Sequence, residues 1–351
     1  MHPLTDVIWL FNEDADDERC EQDVARLAEL LDAEPAIDAE GVIGTLTNDL
    51  GTVIPRTVPL IRLANSRLSR RQPIDIAPII ASVQSAKLDH LVKMEQVVGG
   101  TAHLRRVLTP RWFEQLRAII LAWDPGAVFE LPTHTVFMGY YTDVVCYAGD
   151  FLQTLDDAFE RLSKYGSVKQ KLKEIAGASA GFVSTAFEML VLRTFAVAGL
   201  INEYEPALPG GGRSEARVTL SGQDVFVEAR VKMDEERPGG AFDPADMGRK
   251  LFGKLQEKYA AQYAGVTEPL VVFFSLGASV LQDIEAEAMI AEVMNDGAAT
   301  SLTAVVLCDF YQPHKMWLWC NPAAAQQLAP EAVQALYDLF PLREFEKTGL
   351  I

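Results

Sequence analysis

The chain has 351 residues, of which 49% are hydrophobic and 23% charged, so it can bury real cores and is not globally disordered. This length favours two domains. The net charge is −18, and residues 1–40 alone hold 13 acidic side chains against Arg19 and Arg26. The four cysteines form no CxxC pair, which excludes zinc-finger spacing and a dense disulfide framework and favours a reducing, cytoplasmic setting.

The acidic N-terminal segment has two interpretations. Helical spacing of the apolar residues in DVARLAELLD predicts an ordinary helix with a solvated acidic face. The alternative is an arm that mimics nucleic acid or inhibits the protein's own site. The first residues lack the basic region of a secretory signal, so no export is expected.

The following part of the chain is predicted to be helical. Apolar residues recur at helical spacing in VARLAELL, IIASVQSAKLDHLVKM, RWFEQLRAIILAW and DFLQTLDDAFERLSKY. The stretch TVFMGYYTDVVCYAG is compatible with either a short strand or a buried helix. We therefore predict a mostly helical N-terminal domain over residues 1–165.

Residues 176–201 form a long apolar stretch that contains Glu188 and Arg193. Charges near the centre of a membrane span are costly, so we predict a buried helix and no membrane partner. Arg193 lies about 140° around the helix from Glu188 and is a poor partner for it. A buried carboxylate needs a partner, so one must reach Glu188 from outside the helix.

Residues 166–351 are predicted to form an α/β domain, a mixed sheet flanked by helices. The predicted order is a helix over 176–200, strands near 215–220 and 225–232, a helix over 245–263, a strand over 270–276, a helix over 282–295, strands over 302–310 and 315–320, and a helix over 331–340.

The predicted hairpin SEARVTLSGQDVFVEARVK concentrates charge on one strand face. A two-residue turn at residues 221–222 sets Glu215 opposite Glu228. A four-residue loop over residues 221–224 sets Glu215 opposite Arg230. Both registers place the three charged side chains on one face, because side chains alternate along a strand. Opposed carboxylates repel, and a divalent cation such as Mg²⁺ would compensate them.

These motifs resemble the PD-(D/E)xK nuclease superfamily, whose restriction-endonuclease-like core has the order α-β-β-β-α-β. Glu228-Ala229-Arg230 resembles its (D/E)xK element, and Glu215 stands where the acid of the PD element is expected. Glu188 resembles the additional acid that many members carry on the preceding helix. The resemblance covers roughly residues 170–320 and departs from the pattern at Arg230, which replaces the motif lysine.

The resemblance implies a nuclease that hydrolyses phosphodiester bonds of nucleic acid, with DNA expected, using Mg²⁺ or Mn²⁺, in restriction or phage defence. It implies that Glu188, Glu215 and Glu228 hold the metal and that Arg230 faces the phosphate. The N-terminal domain would select substrate, bind a partner protein or mediate dimerisation. A basic stripe suited to a phosphate backbone recurs at every fourth residue, in Lys250, Lys254 and Lys258.

Arg230 leaves a second interpretation open. Arginine stays charged at essentially any pH, so it cannot act as a base in place of lysine. The alternative to a nuclease is therefore a catalytically inactive, nuclease-like scaffold or sensor that binds a protein or nucleic-acid partner.

Overall fold

A computed structural model describes most of the chain. The described residues are 17–46, 57–125, 136–137, 139–140, 149–177, 181–231, 261–275, 302–308 and 316–344. They divide into two compact units: the first comprises the described residues up to Gly100 together with 108–125, and the second comprises 101–107 and the described residues from 136 onward. The second unit thus starts earlier in the chain than the predicted boundary at residue 166.

The first unit is helical in its described parts. Its helices are α1 (Asp17–Ala33), α2 (Ala39–Leu46), α3 (Thr57–Asn65), α4 (Ala77–Gly99) and α5 (Pro110–Ala122). Helix α1 packs on α3, and α4 packs on both α2 and α5. Apolar positions at helical spacing, such as Ile79, Val83 and Leu91 of α4, are fully buried and form the core.

Helix α1 confirms the ordinary-helix interpretation for the described part of the acidic segment. Leu27 and Leu31 are buried, whereas Glu21 and Glu29 are exposed. Arg71 donates hydrogen bonds to the backbone carbonyls of residues 31, 34 and 37, which satisfies acceptors that the helix end leaves open. The helix is therefore packed on its neighbours through its buried apolar face, which includes Leu27 and Leu31.

The second unit combines helices with a mixed sheet, so the predicted α/β class is confirmed at this level. Its helices are α6 (Phe151–Leu162), α7 (Lys169–Ile175), α8 (Gly181–Val197) and α9 (Pro330–Leu339), and a 3₁₀ turn spans Leu104–Arg106. Its strands are β1 (Ile201–Tyr204), β2 (Ala216–Leu220), β3 (Gln223–Val231), β4 (Leu270–Ser275), β5 (Ala304–Cys308), β6 (Met316–Cys320) and β7 (Leu342–Glu344).

The strands lie side by side in chain order, β1 to β7. The pairs β1–β2 and β2–β3 are antiparallel, whereas β3–β4 and β4–β5 are parallel. Strand β6 runs antiparallel to β5 and parallel to β7. Strands β4 and β5 are buried along their whole length, as expected for central strands covered on both faces.

Strands β2 to β6 and helix α9 match the sequence prediction within a few residues, but β1 and β7 were not predicted. Both are short, with four and three residues, too few for an alternating pattern to be recognised. The predicted helix over 282–295 lies outside the described residues, as does the predicted helix over 245–263 except for its last residues.

Helix α8 confirms the prediction of a buried helix within residues 176–201. It packs on α6, α7 and β3, and most of its side chains are buried. A membrane-spanning segment is absent from the described ranges, where every helix is too short or too polar for one. The helix therefore serves as a core element, and it brings Glu188 against the hairpin.

Candidate functional site

The β2–β3 hairpin has the two-residue turn, so the first of the two predicted registers is correct. Ala216 pairs with Val227, and Leu220 pairs with Gln223. Ser221 and Gly222 take positive φ angles of 47° and 89°, which are typical of the type I′ turn that suits twisted hairpins. Continued by one residue, this register sets Glu215 opposite Glu228.

Arg230 links the two carboxylates of the hairpin. Its Nη1 donates to Oε1 of Glu215, and its Nη2 donates to Oε2 of Glu228. The other oxygen of Glu228 accepts a hydrogen bond from the hydroxyl of Tyr263 at 2.6 Å. The planar guanidinium, with donors on both sides of its fork, is suited to bridging two acids in this way.

Glu188 on α8 finds its partner outside its own helix, as predicted. The Nζ of Lys171, on α7, lies 2.5 Å from Oε2 of Glu188 and 3.9 Å from Oε2 of Glu215. Arg193 instead pairs with Asp157 at 2.6 Å. Glu188, Glu215 and Glu228, which we call the acid cluster, therefore meet around two cations that come from different elements.

The acids lie deeper in the protein than the cations. The exposed fractions of the side chains are 0% for Glu228, 6% for Glu188 and 11% for Glu215, against 19% for Lys171 and 28% for Arg230. Solvent therefore reaches the two cations more readily than it reaches the carboxylates.

Burial decides the protonation of Glu188. Burial first, and then repulsion from Glu215, raise its pKa to about 8 against the pull of Lys171, so the carboxyl holds a proton at neutral pH. Burial opposes the charge of Lys171, but Glu188 and Glu215 outweigh it and raise the pKa of the ammonium. Lys171 is thus a cation at any physiological pH.

Two buried oxygen atoms beside the acid cluster make no hydrogen bond to any described residue. They are Oε1 of Glu188 and the hydroxyl of Tyr204, on β1. Burial first, and then the charge of Glu188, raise the pKa of the Tyr204 hydroxyl, which keeps it neutral. An orphan carboxyl oxygen is a position where a ligand or water can bind.

The acid cluster has the donor chemistry of a magnesium or manganese site, because both ions take oxygen ligands and carboxylates above all. Oε1 of Glu188 is open to such an ion. Oxygens of Glu215 and Glu228 are held by Arg230 and would have to exchange the guanidinium for the metal. With these ion pairs in place, the described residues contain no group of three or more His, Cys, Asp or Glu side chains arranged to hold a metal.

The structure brings together four predicted site residues, Glu188, Glu215, Glu228 and Arg230. The predicted basic stripe of Lys250, Lys254 and Lys258 lies outside the described residues. Sequence reasoning missed Lys171 and Tyr263, because each belongs to an element that no local motif connects to the hairpin. The one available signal for Lys171 was its position in a lysine-rich stretch directly before the helix of Glu188.

Comparisons with known proteins leave the family of this chain open. No protein-family model matches it. Searches of curated proteins and of solved structures likewise find no match. Any function must therefore be argued from the geometry of the acid cluster and its two cations.

Proposed function

We propose that the second unit is a metal-dependent nuclease that hydrolyses phosphodiester bonds of nucleic acid. The observation that carries this proposal is the convergence of three buried carboxylates, from one helix and one hairpin, with two cations on their solvent side. Buried ionic groups stabilise a fold no better than apolar packing does. Their concentration at one place, with a strongly raised pKa at Glu188, is typical of functional sites.

The order of the elements supports the resemblance to the PD-(D/E)xK superfamily. Helix α8 precedes three antiparallel strands, β1 to β3, and β4 then lies parallel to β3. In this order Glu188 falls on the helix, Glu215 lies directly before β2, the first hairpin strand, and Glu228 lies on β3, the second, which agrees with the positions that the resemblance assigns to the three acids.

Each residue of the site has a role that follows from its chemistry. Glu188, Glu215 and Glu228 would hold Mg²⁺ or Mn²⁺, and such an ion supplies a hydroxide nucleophile and polarises a phosphoryl oxygen. Tyr263 fixes the orientation of Glu228 through its hydrogen bond. Arg230 remains charged throughout, so it stabilises negative charge on the phosphate and transfers no proton.

The test is to replace Glu228 by glutamine and measure both metal binding and cleavage. We expect wild type to take up Mn²⁺ in calorimetric titration and to cut single- or double-stranded DNA or RNA with Mg²⁺ or Mn²⁺ but not with EDTA. Loss of groups that only orient metal ligands weakens metal binding by about 10-fold to 100-fold, so Glu228→Gln should lower affinity and cleavage by at least about 100-fold. Glu203→Gln, on an exposed position of β1, is the matched control.

Equal cleavage by wild type and Glu228→Gln would refute this assignment. A melting curve for each variant distinguishes a lost ligand from a lost fold, because glutamine keeps the shape of the side chain. If Glu228→Gln melts early, Glu215→Gln, at the less deeply buried acid, provides the same comparison.

A second candidate function is a nuclease-like scaffold that binds its partner without metal. The observation that favours it is the ion pairing of Glu215 and Glu228 with Arg230, which neutralises the hairpin acids internally. The same titration separates the candidates, because the scaffold takes up no Mn²⁺ in wild type.

A further inference from the structure

We propose that Lys171 is a second phosphate-binding residue of this site, acting beside Arg230. This inference deepens the proposed function and names a residue that lies outside the hairpin motif. The lysine of the site then comes from helix α7, whereas the resemblance to the PD-(D/E)xK superfamily expects it at position 230, on β3.

Helix α7 presents one of its lysines to the acid cluster. Leu172 and Ile175 are buried and fix the helix on the unit, while Lys169 and Lys173 point to solvent. Lys171 alone among these three lysines is only partly exposed, and its Nζ contacts Glu188 and approaches Glu215. Arg230 contacts the other oxygen of Glu215, so the two cations flank the same carboxylate.

The Lys171 ammonium has donors left for a ligand. It carries three N–H groups. Within the described structure it makes one hydrogen bond, to Glu188, and its 3.9 Å separation from Glu215 is too long for a second. Because its side chain is more exposed than either acid, a phosphate that enters from solvent can reach the ammonium before it reaches the carboxylates.

The charges show why one cation is too few. A phosphate group that approaches three acids and only Arg230 faces a surplus of negative charge, and like charges at a few ångströms repel strongly in a partly buried site. Arg230 leaves two of the three negative charges unbalanced, and Lys171 balances one of these two. The cluster then repels a polyanionic ligand less strongly, even in a chain of net charge −18.

The test measures binding of a fluorescein-labelled single-stranded 15-mer DNA in EDTA, by anisotropy between 50 and 200 mM NaCl. We expect Lys171→Met to weaken binding roughly 10-fold at the lowest salt and to reduce the log–log salt slope by about 0.7, as loss of one phosphate contact to a single strand does. Lys171→Arg should retain most of the affinity. Lys173→Met, with the same charge change on the same helix, should differ from wild type by less than about 2-fold.

Steady-state cleavage with Mn²⁺ gives a second readout. A contact that is made equally in the bound substrate and in the transition state raises KM and leaves kcat nearly unchanged. If Lys171→Met binds the oligonucleotide with the affinity and salt slope of Lys173→Met, the proposal is overturned. If Lys171→Met does not fold, the comparison is Glu188→Gln against Glu188→Gln/Lys171→Met, which removes the Lys171 charge without leaving an ionisable Glu188 beside it.

These outcomes are independent of the metal. Absence of Mn²⁺ uptake in wild type would reject the nuclease, yet a binding defect confined to Lys171→Met would still establish the phosphate contact. Normal binding by Lys171→Met together with Glu228-dependent cleavage would reject the contact and keep the nuclease.

Discussion

Arg230 determines the charge balance of the hairpin. One guanidinium serves two carboxylates, on neighbouring strands, through two different nitrogens. A lysine at this position has a single ammonium and could not reproduce that fork geometry. The arginine therefore replaces more than the charge of a motif lysine, because it also holds Glu215 and Glu228 at a fixed separation.

Removal of the Arg230 charge should destabilise the protein. Arg230→Met removes the cation that two opposed, buried carboxylates share, and breaking a buried ion pair in this way costs about 3 kcal/mol of unfolding free energy. Arg217→Met, whose partners Asp224 and Glu268 are about one-third exposed, should cost about 1 kcal/mol or less. Urea denaturation followed by circular dichroism measures both.

Arg230→Met also tests whether Glu215 and Glu228 can bind a metal ion. If the carboxylates freed from Arg230 bind Mn²⁺, MnCl₂ should stabilise Arg230→Met. At 100 times the dissociation constant, it should restore about 2.7 kcal/mol of unfolding free energy. Arg217→Met keeps the ion pairs of Arg230, so at the same MnCl₂ concentration it should gain only as much as wild type, in which the metal has to displace the guanidinium. Equal gains in both variants at one MnCl₂ concentration would mean that the carboxylates freed from Arg230 do not bind the ion.

At the scale of single residues, the sequence predicts the arrangement within the hairpin but not the contacts between residues of separate elements. Alternation along a strand placed Glu215, Glu228 and Arg230 on one face. Lys171 lies 17 residues from Glu188, and Tyr263 lies 35 residues from Glu228, on separate elements. Contacts of this kind depend on how the elements pack, which no pattern within one element encodes.

The glycine-rich loop between β1 and β2 supports the site indirectly. A Cβ on Gly210 would lie 2.4 Å from the carbonyl oxygen of Ala261 and 2.6 Å from that of Gln262. The side chain of Gln262 also donates to the carbonyl of Arg213 at 3.0 Å. The loop thus packs directly on the backbone that precedes Tyr263, the residue that orients Glu228.

Gly210→Ala should therefore disturb both stability and the site. The added methyl meets rigid backbone, and such overpacking typically costs about 1–3 kcal/mol. Gly99→Ala, at the end of α4 with open space around the new methyl, should be close to neutral. Thermal melting of the two variants tests the packing, and reduced Mn²⁺ affinity in Gly210→Ala alone would link the loop to Tyr263.

Elements were predictable where their residues carry a strong pattern. The continuous apolar runs of β4 and β5 and the long apolar stretch of α8 led to correct assignments. The sheet's strand order and the role of β1 as its first strand did not follow from the sequence, because pairing partners are chosen by the whole unit.

Each unit carries a buried group whose altered pKa makes stability depend on pH near neutrality. In the second unit, folded Glu188 keeps its proton up to about pH 8, whereas its ordinary pKa is 4.5. Between these values the folded state binds more protons, so stability falls as the pH rises. In the first unit, burial lowers the pKa of Lys87 from 10.5 to about 7, so between these values the unfolded chain binds more protons and stability rises with pH.

The pH dependence of unfolding should therefore have two limbs of opposite sign. Urea denaturation from pH 5 to pH 10 should show slopes of up to about 1.4 kcal/mol per pH unit on each limb. Glu188→Gln should flatten the limb below pH 8, and Lys87→Met should flatten the limb above pH 7. Unchanged slopes in both variants would mean that these groups titrate normally in the folded protein.

At the scale of the whole chain, length favoured two domains and composition favoured buried cores; the described residues divide into two compact units and contain many buried apolar side chains. The position of the boundary was less accessible. Helix α6 has an amphipathic pattern like those of the first unit, yet it packs on α8 in the second. A surface pattern tells that a helix is packed on one side, but it does not identify the neighbour.

The two-residue turn at residues 221–222 limits how the length of this hairpin can change in evolution. A single-codon insertion or deletion there would shift the pairing by one residue and rotate one strand's side chains to the opposite face. Glu215 would then part from Glu228 in one mutational step, without any change to either residue. Among related proteins that retain the activity, the length of this turn should therefore vary less than the identities of its residues.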